Sequence, residues 1–151
     1  MRVVLQRVSS AAVSIDGREV GRIDRGVLVF VGIGRHDDAG DIEYVVGKIR
    51  NLRLFEDVDG KMNLSVADVG GEVLLVSQFT LYGDCRKGRR PSFDRAAPPA
   101  EARALYERLV EAMEATGVTV RTGEFQAMMD VALVNDGPVT LLVDSDEVRK
   151  A

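Results

Sequence analysis

Two short polar runs stand out for the chemistry they can carry. Ser77-Gln78-Phe79-Thr80 sets two hydroxyls, an amide and an aromatic ring at the end of an apolar stretch, and Arg86-Lys87-Gly88-Arg89-Arg90 follows with four cations in five positions. A cationic run beside a polar corner is what a site for a polyanion next to a reaction centre needs, because phosphate contacts position a nucleic acid without selecting it. Each run also has a plain structural explanation. The first can be strand-end capping by short polar side chains, and the second a solvated charged loop. Gly137-Pro138, between the apolar runs Val131 to Val134 and Val139 to Val143, can likewise be no more than the punctuation of a hairpin.

Other chemistries are narrowed by what the chain lacks. One histidine, His36, rules out a two-histidine metal site, and one cysteine, Cys85, rules out an internal disulfide and every multi-thiolate zinc motif. His36 reads as a polar loop residue before a helix. Cys85 has Arg86 and Lys87 to lower its pKa but no histidine placed to assist it. Gly32-Ile33-Gly34 follows a strand, yet Asp37 stands where a dinucleotide loop needs its third glycine. No G-x-S-x-G elbow occurs. Thr80 can act as a nucleophile only with a base beside it, and the sequence places none there. No cofactor and no metal are expected.

The elements that must position these residues are readable from periodicity. Val3, Leu5 and Val8 predict a first strand, and Val13 and Ile15 a second, turning at Asp16-Gly17 into a hairpin arm with Val20 and Ile23. Val27 to Ile33 reads as a strand buried on both faces. Asp37 and Asp38 can cap a helix whose apolar face is Ile42, Val45, Val46 and Ile49. Arg53 to Glu56 and Glu72 to Phe79 are further strand candidates. Asp57 to Gly60 is a turn and not a calcium loop. From Thr80 to Pro99 periodicity is lost, a length at which a loop in a compact domain is usually functional. A second helix runs from about Ala100 to Thr116 and stops at Gly117. No repeat or linker divides residues 1–151, so one domain is expected, of α/β class, with mixed β-sheets forming a barrel-like or layered sandwich core and two main helices.

Composition sets the outer limits. The chain is 46% apolar and 29% charged, and its longest unbroken apolar run, Val27 to Val31, is far short of a membrane span. The N-terminal residues lack the pattern of a signal peptide, so a cytoplasmic protein without membrane partners is expected. A net charge of −4 argues against diffuse nucleic-acid binding and leaves room only for a local basic patch.

Ser77-Gln78-Phe79-Thr80-Leu81-Tyr82-Gly83-Asp84, the basic Lys87-Gly88 and Arg90-Pro91-Ser92-Phe93, and Leu133-Val134-Asn135-Asp136-Gly137-Pro138-Val139-Thr140 together resemble the paired signatures of the D-aminoacyl-tRNA deacylases. The opening Met1 to Val8 and the Asp16-Gly17 hairpin resemble that family as well. The resemblance implies a homodimer that hydrolyses the ester joining a D-amino acid, or glycine, to the tRNA 3′ end. It implies catalytic roles at a pocket lined by Ser77, Gln78, Phe79 and Thr80. It also implies a cis Gly137-Pro138 that reaches into the partner's pocket and rejects L-amino acids. Arg86, Lys87, Arg89 and Arg90 are then candidate tRNA contacts. One departure is visible: Gln126 in Gly123-Glu124-Phe125-Gln126-Ala127 occupies a position where the family commonly has glycine. Two other readings stay open, an ester hydrolase of another substrate with Thr80 as nucleophile, and a non-catalytic tRNA-binding module.

Overall fold

A computed structural model describes residues 1–149. The chain runs β1 (Arg2–Ile15), β2 (Arg18–Ile23), β3 (Gly26–Gly32), α1 (Ala39–Asn51), β4 (Phe55–Glu56), β5 (Met62–Leu64), β6 (Glu72–Ser77), a 3-10 turn (Phe79–Tyr82), α2 (Pro99–Glu114), β7 (Thr119–Thr122), β8 (Asp130–Asp144) and α3 (Asp146–Arg149). The main sheet has the order β2-β1-β3-β6-β7, with β8 along the other edge of β1. Pairings of β1 are antiparallel, while β3-β6 and β6-β7 are parallel.

The double-sided burial expected of Val27 to Ile33 has a simple layout. Val27, Val29 and Val31 join Val73 and Leu75 in a core beneath α1 and α2, while Leu28, Leu74 and Val76 face a second core with Val8, Ala11, Val13 and Ile23. The central strands are therefore covered by helices on one face and by the curled β1-β2 ribbon on the other, and the sheet becomes nearly barrel-like. Burying one such side chain is worth about 1.5–3 kcal/mol, so the two cores are the main source of cohesion. Helix α1 packs on α2 and starts at a capping box in which the Asp38 side chain accepts from Gly40 N and Asp41 accepts from Asp38 N.

Several expectations are revised. The two strands expected from Val3 to Ile15 are one strand. Its inward phase slips near Arg7 and Val8, where pairing to β8 is irregular, and its two halves serve different cores. The runs Val131 to Val134 and Val139 to Val143 are also one strand, because both pair with β1 and not with each other; Gly137-Pro138 is a bulge in β8 and not a hairpin turn. Asp37 does not cap α1. It lies against the buried α-ammonium of Met1 at 2.5 Å, and Ser145 Oγ accepts from the same ammonium at 2.6 Å. The strand beginning at Glu72 ends at Ser77 and Phe79 opens a 3-10 turn; β5, β7 and α3 lacked enough periodicity to be seen. The Asp16-Gly17 hairpin is as read, with positive φ at both residues.

Candidate active site

The site begins where two parallel strands end together. Ser77 is opposite Val31, and Gln78 N donates to Val31 O at 2.7 Å, which holds the end of β6 against β3. The chain then tightens into the 3-10 turn, with Leu81 N donating to Gln78 O at 3.2 Å and Gly83 N to Thr80 O at 2.9 Å. The amides of Phe79 and Thr80 precede the first bond of that turn, and among the described residues they have no acceptor. Gln78 Nε2 donates to Thr80 Oγ1, so the hydroxyl is engaged as an acceptor.

All four residues line one cavity of about 840 Å³. Its other walls are Val76 of β6, Phe93 and Ala96 to Pro99 leading into α2, Phe125 to Met129 and Val131 before and within β8, and Arg35 after β3. Phe79, 58% exposed, meets Phe93 edge to face with ring centroids 5.1 Å apart. Phe125 packs 5.8 Å from the Tyr106 ring, and the Arg103 guanidinium lies 4.7 Å from its centroid. Tyr106 is fixed in turn by its hydroxyl, which donates to Leu75 O at 3.0 Å. Gln126 has φ of 65°, a left-handed conformation that costs an L-residue roughly 1–2 kcal/mol and that glycine adopts freely. The loop through Phe93 was expected to be functional, and the segment around Gln126 was tied to the pocket by resemblance; Arg35 and Met129 were not expected, because single residues from distant segments leave no periodic signal.

Few groups here can move a proton. Burial, and then the Asp37, Asp144 and Asp146 carboxylates, push the Tyr82 phenol above its ordinary range and keep it protonated. Burial pushes the Asp37 carboxyl up, against the opposing pull of the Met1 ammonium. His36 lines a small separate cavity with Tyr82 and Arg95. No group of three or more His, Cys, Asp or Glu among the described residues is arranged to hold a metal ion.

Gly137-Pro138 does not line this cavity. It is a cis peptide on the exposed bulge of β8, with Gly137 at φ of 132°. Arg7, only 7% exposed, holds the bulge from below: its Nε donates to Asp136 O at 3.1 Å and its Nη1 to Leu54 O at 2.7 Å. A Cβ on Gly137 would sit 2.9 Å from Val139 Cγ2, so only glycine fits. Asn135 Oδ1 accepts from Val139 N at 2.9 Å and closes the bulge on the far side. In the basic loop, Arg86 is chelated by Asp84, with contacts of 2.5 to 3.0 Å that hold the Asp84 carboxyl well below its usual range. Lys87, Arg89 and Arg90 are exposed.

A family profile described as D-Tyr-tRNA(Tyr) deacylase matches residues 4–144. The chain belongs to that family. A D-aminoacyl-tRNA deacylase of Thermotoga petrophila is 60% identical over 148 residues, covering 98% of this chain and 99% of that one. A solved structure titled c-Myc DNA Unwinding Element Binding Protein matches with a TM-score of 0.91 at 40% identity, over 96% of this chain and 99% of that one. A second, described as a probable eukaryotic D-amino acid tRNA deacylase, matches with a TM-score of 0.82 over 94% and 97% of the two chains; at 20% identity it shows the fold. The deacylase family match spans the Ser77–Thr80 corner and the Gly137-Pro138 bulge within one alignment. No helix among the described residues is long and apolar enough to cross a membrane.

Proposed function

We propose that this chain removes D-amino acids from tRNA by hydrolysing the 3′ ester with main-chain groups at the Ser77–Thr80 corner, and that it works as a homodimer. The observation that carries the reading is the pairing of two unused amides, at Phe79 and Thr80, with an apolar cavity that among the described residues has no acid-base residue beside Thr80. An aminoacyl ester is already activated. Attack by water moves charge onto the carbonyl oxygen, and two amides aimed at that oxyanion supply about 10²–10³ in rate per donor. The 2′-hydroxyl of the terminal ribose, adjacent to the ester, orients or activates the water, so no protein nucleophile is needed. The other two readings, Thr80 as nucleophile on a different ester and a module that only binds tRNA, have no comparable support.

Selection by handedness follows from the second motif. Gly137 and Pro138 of the partner subunit enter the cavity, and their carbonyls accept hydrogen bonds from the substrate ammonium. Contacts to the ammonium and the α-carbon ignore the side chain, so many D-amino acids fit, L-amino acids collide, and glycine, having no handedness, is hydrolysed too. Two features favour action in trans: the bulge is exposed and outside its own chain's cavity, and β8 displays Val134 and Leu142, 56% and 66% exposed. Lys87, Arg89 and Arg90, with Arg86 contributing less because Asp84 neutralises it, contact the tRNA backbone. The setting is the cytoplasm, where charged tRNA is used.

A mixing experiment tests this. Ala127→Trp fills the cavity, and Gly137→Val disables the bulge. Each variant alone is expected to be inactive on D-tyrosyl-tRNA. Co-refolding the two in equal amounts is expected to restore about a quarter of wild-type activity, because half of the dimers are mixed and each mixed dimer has one intact pocket served in trans. No recovery from a confirmed mixed dimer would show that the motif does not act across the interface.

A further inference from the structure

Among the described residues the cavity walls carry a single formally charged side chain, Arg35, beside aromatic, aliphatic and small polar residues. Its backbone is held at two points and its exposed side chain at one. Arg35 N donates to Arg95 O at 3.2 Å, Gly34 and Ala96 form a bridge beside it, and its Nε donates to Asp94 O at 2.5 Å. That last bond spends Nε and leaves both terminal amino groups for a ligand. Arg2, Arg7, Arg95 and Arg149 have carboxylate partners within 4.0 Å; the Arg35 guanidinium forms no ion pair among the described residues. A held, uncompensated guanidinium beside an apolar cavity is prepared for an anion.

The chemistry of the substrate says which anion. In an aminoacyl ester the carboxylate is consumed, so phosphodiesters are the only anions near the reacting end. At about 840 Å³ the cavity lies in the upper part of the ~300–1,000 Å³ range of small-molecule sites, with room for a nucleoside besides an amino acid. We propose that Arg35 binds the phosphate on the 5′ side of the terminal nucleoside, and so makes the enzyme prefer esters carried on a nucleotide to those on a bare nucleoside. This rests on the aminoacyl-tRNA reading of the cavity. Arg35 is then a specificity-determining residue remote from the ester, and its contribution falls on KM.

The test uses two minimal substrates, 3′-O-D-tyrosyl-adenosine and the same compound bearing a 5′-phosphate, with wild-type enzyme, Arg35→Gln and Arg35→Lys. Wild type is expected to show kcat/KM about tenfold higher on the phosphorylated compound, through KM. In Arg35→Gln that preference is expected to vanish while hydrolysis of the bare adenosine ester is unchanged, which also reports that the variant is folded. Arg35→Lys is expected to recover part of the preference. An unchanged preference in Arg35→Gln, or equal loss on both compounds, would overturn the proposal. So would relief of inhibition by free D-tyrosine with the preference intact, since Arg35 would then serve the product carboxylate. If wild type hydrolyses neither compound nor D-tyrosyl-tRNA, the reading of the cavity itself fails and this proposal with it; activity on tRNA with no phosphate preference removes the proposal alone.

Discussion

Thr80 offers the most obvious nucleophile, and no His, Lys, Asp or Glu among the described residues lines its cavity. Its hydroxyl accepts from Gln78 Nε2, and the Tyr82 phenol, which lines a separate cavity, is held protonated. Thr80→Ala is therefore expected to keep most of the activity, within the roughly 10²-fold loss that a slightly misplaced pocket can cause. Removing the substrate 2′-hydroxyl is expected to cost far more. Single-turnover deacylation by Thr80→Ala, beside wild type on a 2′-deoxy-terminated substrate, checks both; a dead variant that still binds tRNA, or a trapped acyl-Thr80 adduct, would establish covalent catalysis instead. At this scale the chain was partly legible. Ser77 to Thr80 could be singled out because four chemically capable side chains are contiguous. Arg35 and Met129 could not, since their proximity exists only after β3, β6 and β8 are assembled. Gln126 was noticeable only through the resemblance, and its positive φ is a conformation that glycine adopts without penalty.

The elements around the site depend on charges that local spacing only half reveals. Two adjacent aspartates before α1 both looked like caps, yet Asp38 caps and Asp37 pairs with Met1, a contact across 36 residues that no local pattern encodes. The long strands were hidden for a related reason. A phase slip in β1 and a bulge in β8 each break the period-two signal, so one strand reads as two. Asp41, only 2% exposed, gives a pH test of this region. Burial alone would raise its carboxyl, but hydrogen bonds from Ser145 and the Asp38 amide, helped by the Met1 ammonium and Arg149, outweigh that and hold it below the ordinary carboxylate range. Because the folded pKa is lowered, the unfolded chain takes up the proton first as pH falls. The stabilisation is therefore full above about pH 4 and is lost as pH drops through the folded value. Asp41→Asn is expected to be less stable than wild type by roughly 1–3 kcal/mol in urea unfolding at pH 7, with the gap narrowing by pH 3. A gap that stays constant between these pH values would contradict this assignment.

At the scale of the molecule, an acidic protein must hold a polyanion. With a net charge of −4, the tRNA contact has to be local, and the loop around Arg89 and Arg90 is the exposed basic segment nearest in sequence to the Ser77–Thr80 corner. Replacing both arginines with alanine is expected to weaken tRNA binding alike for every aminoacyl group and to reduce the slope of log affinity against log salt by about 1 per arginine. An unchanged salt titration would return the loop to a solvated surface. The single domain and the mixed sheet with helical cover followed from periodicity and length, but the barrel-like closure is set by contacts between β2 and the β6-β7 edge, which are remote in the chain. The homodimer proposed above is legible in neither periodicity nor composition. The proposed function stands or falls on one property, hydrolysis that reads handedness and ignores the side chain. The direct measurement is release of free amino acid from D-tyrosyl-tRNA and L-tyrosyl-tRNA, prepared on the same tRNA and incubated separately with purified wild-type protein. The D-substrate is expected to be deacylated rapidly while the L-substrate decays no faster than without enzyme; comparable hydrolysis of the two would contradict chiral selection by this site.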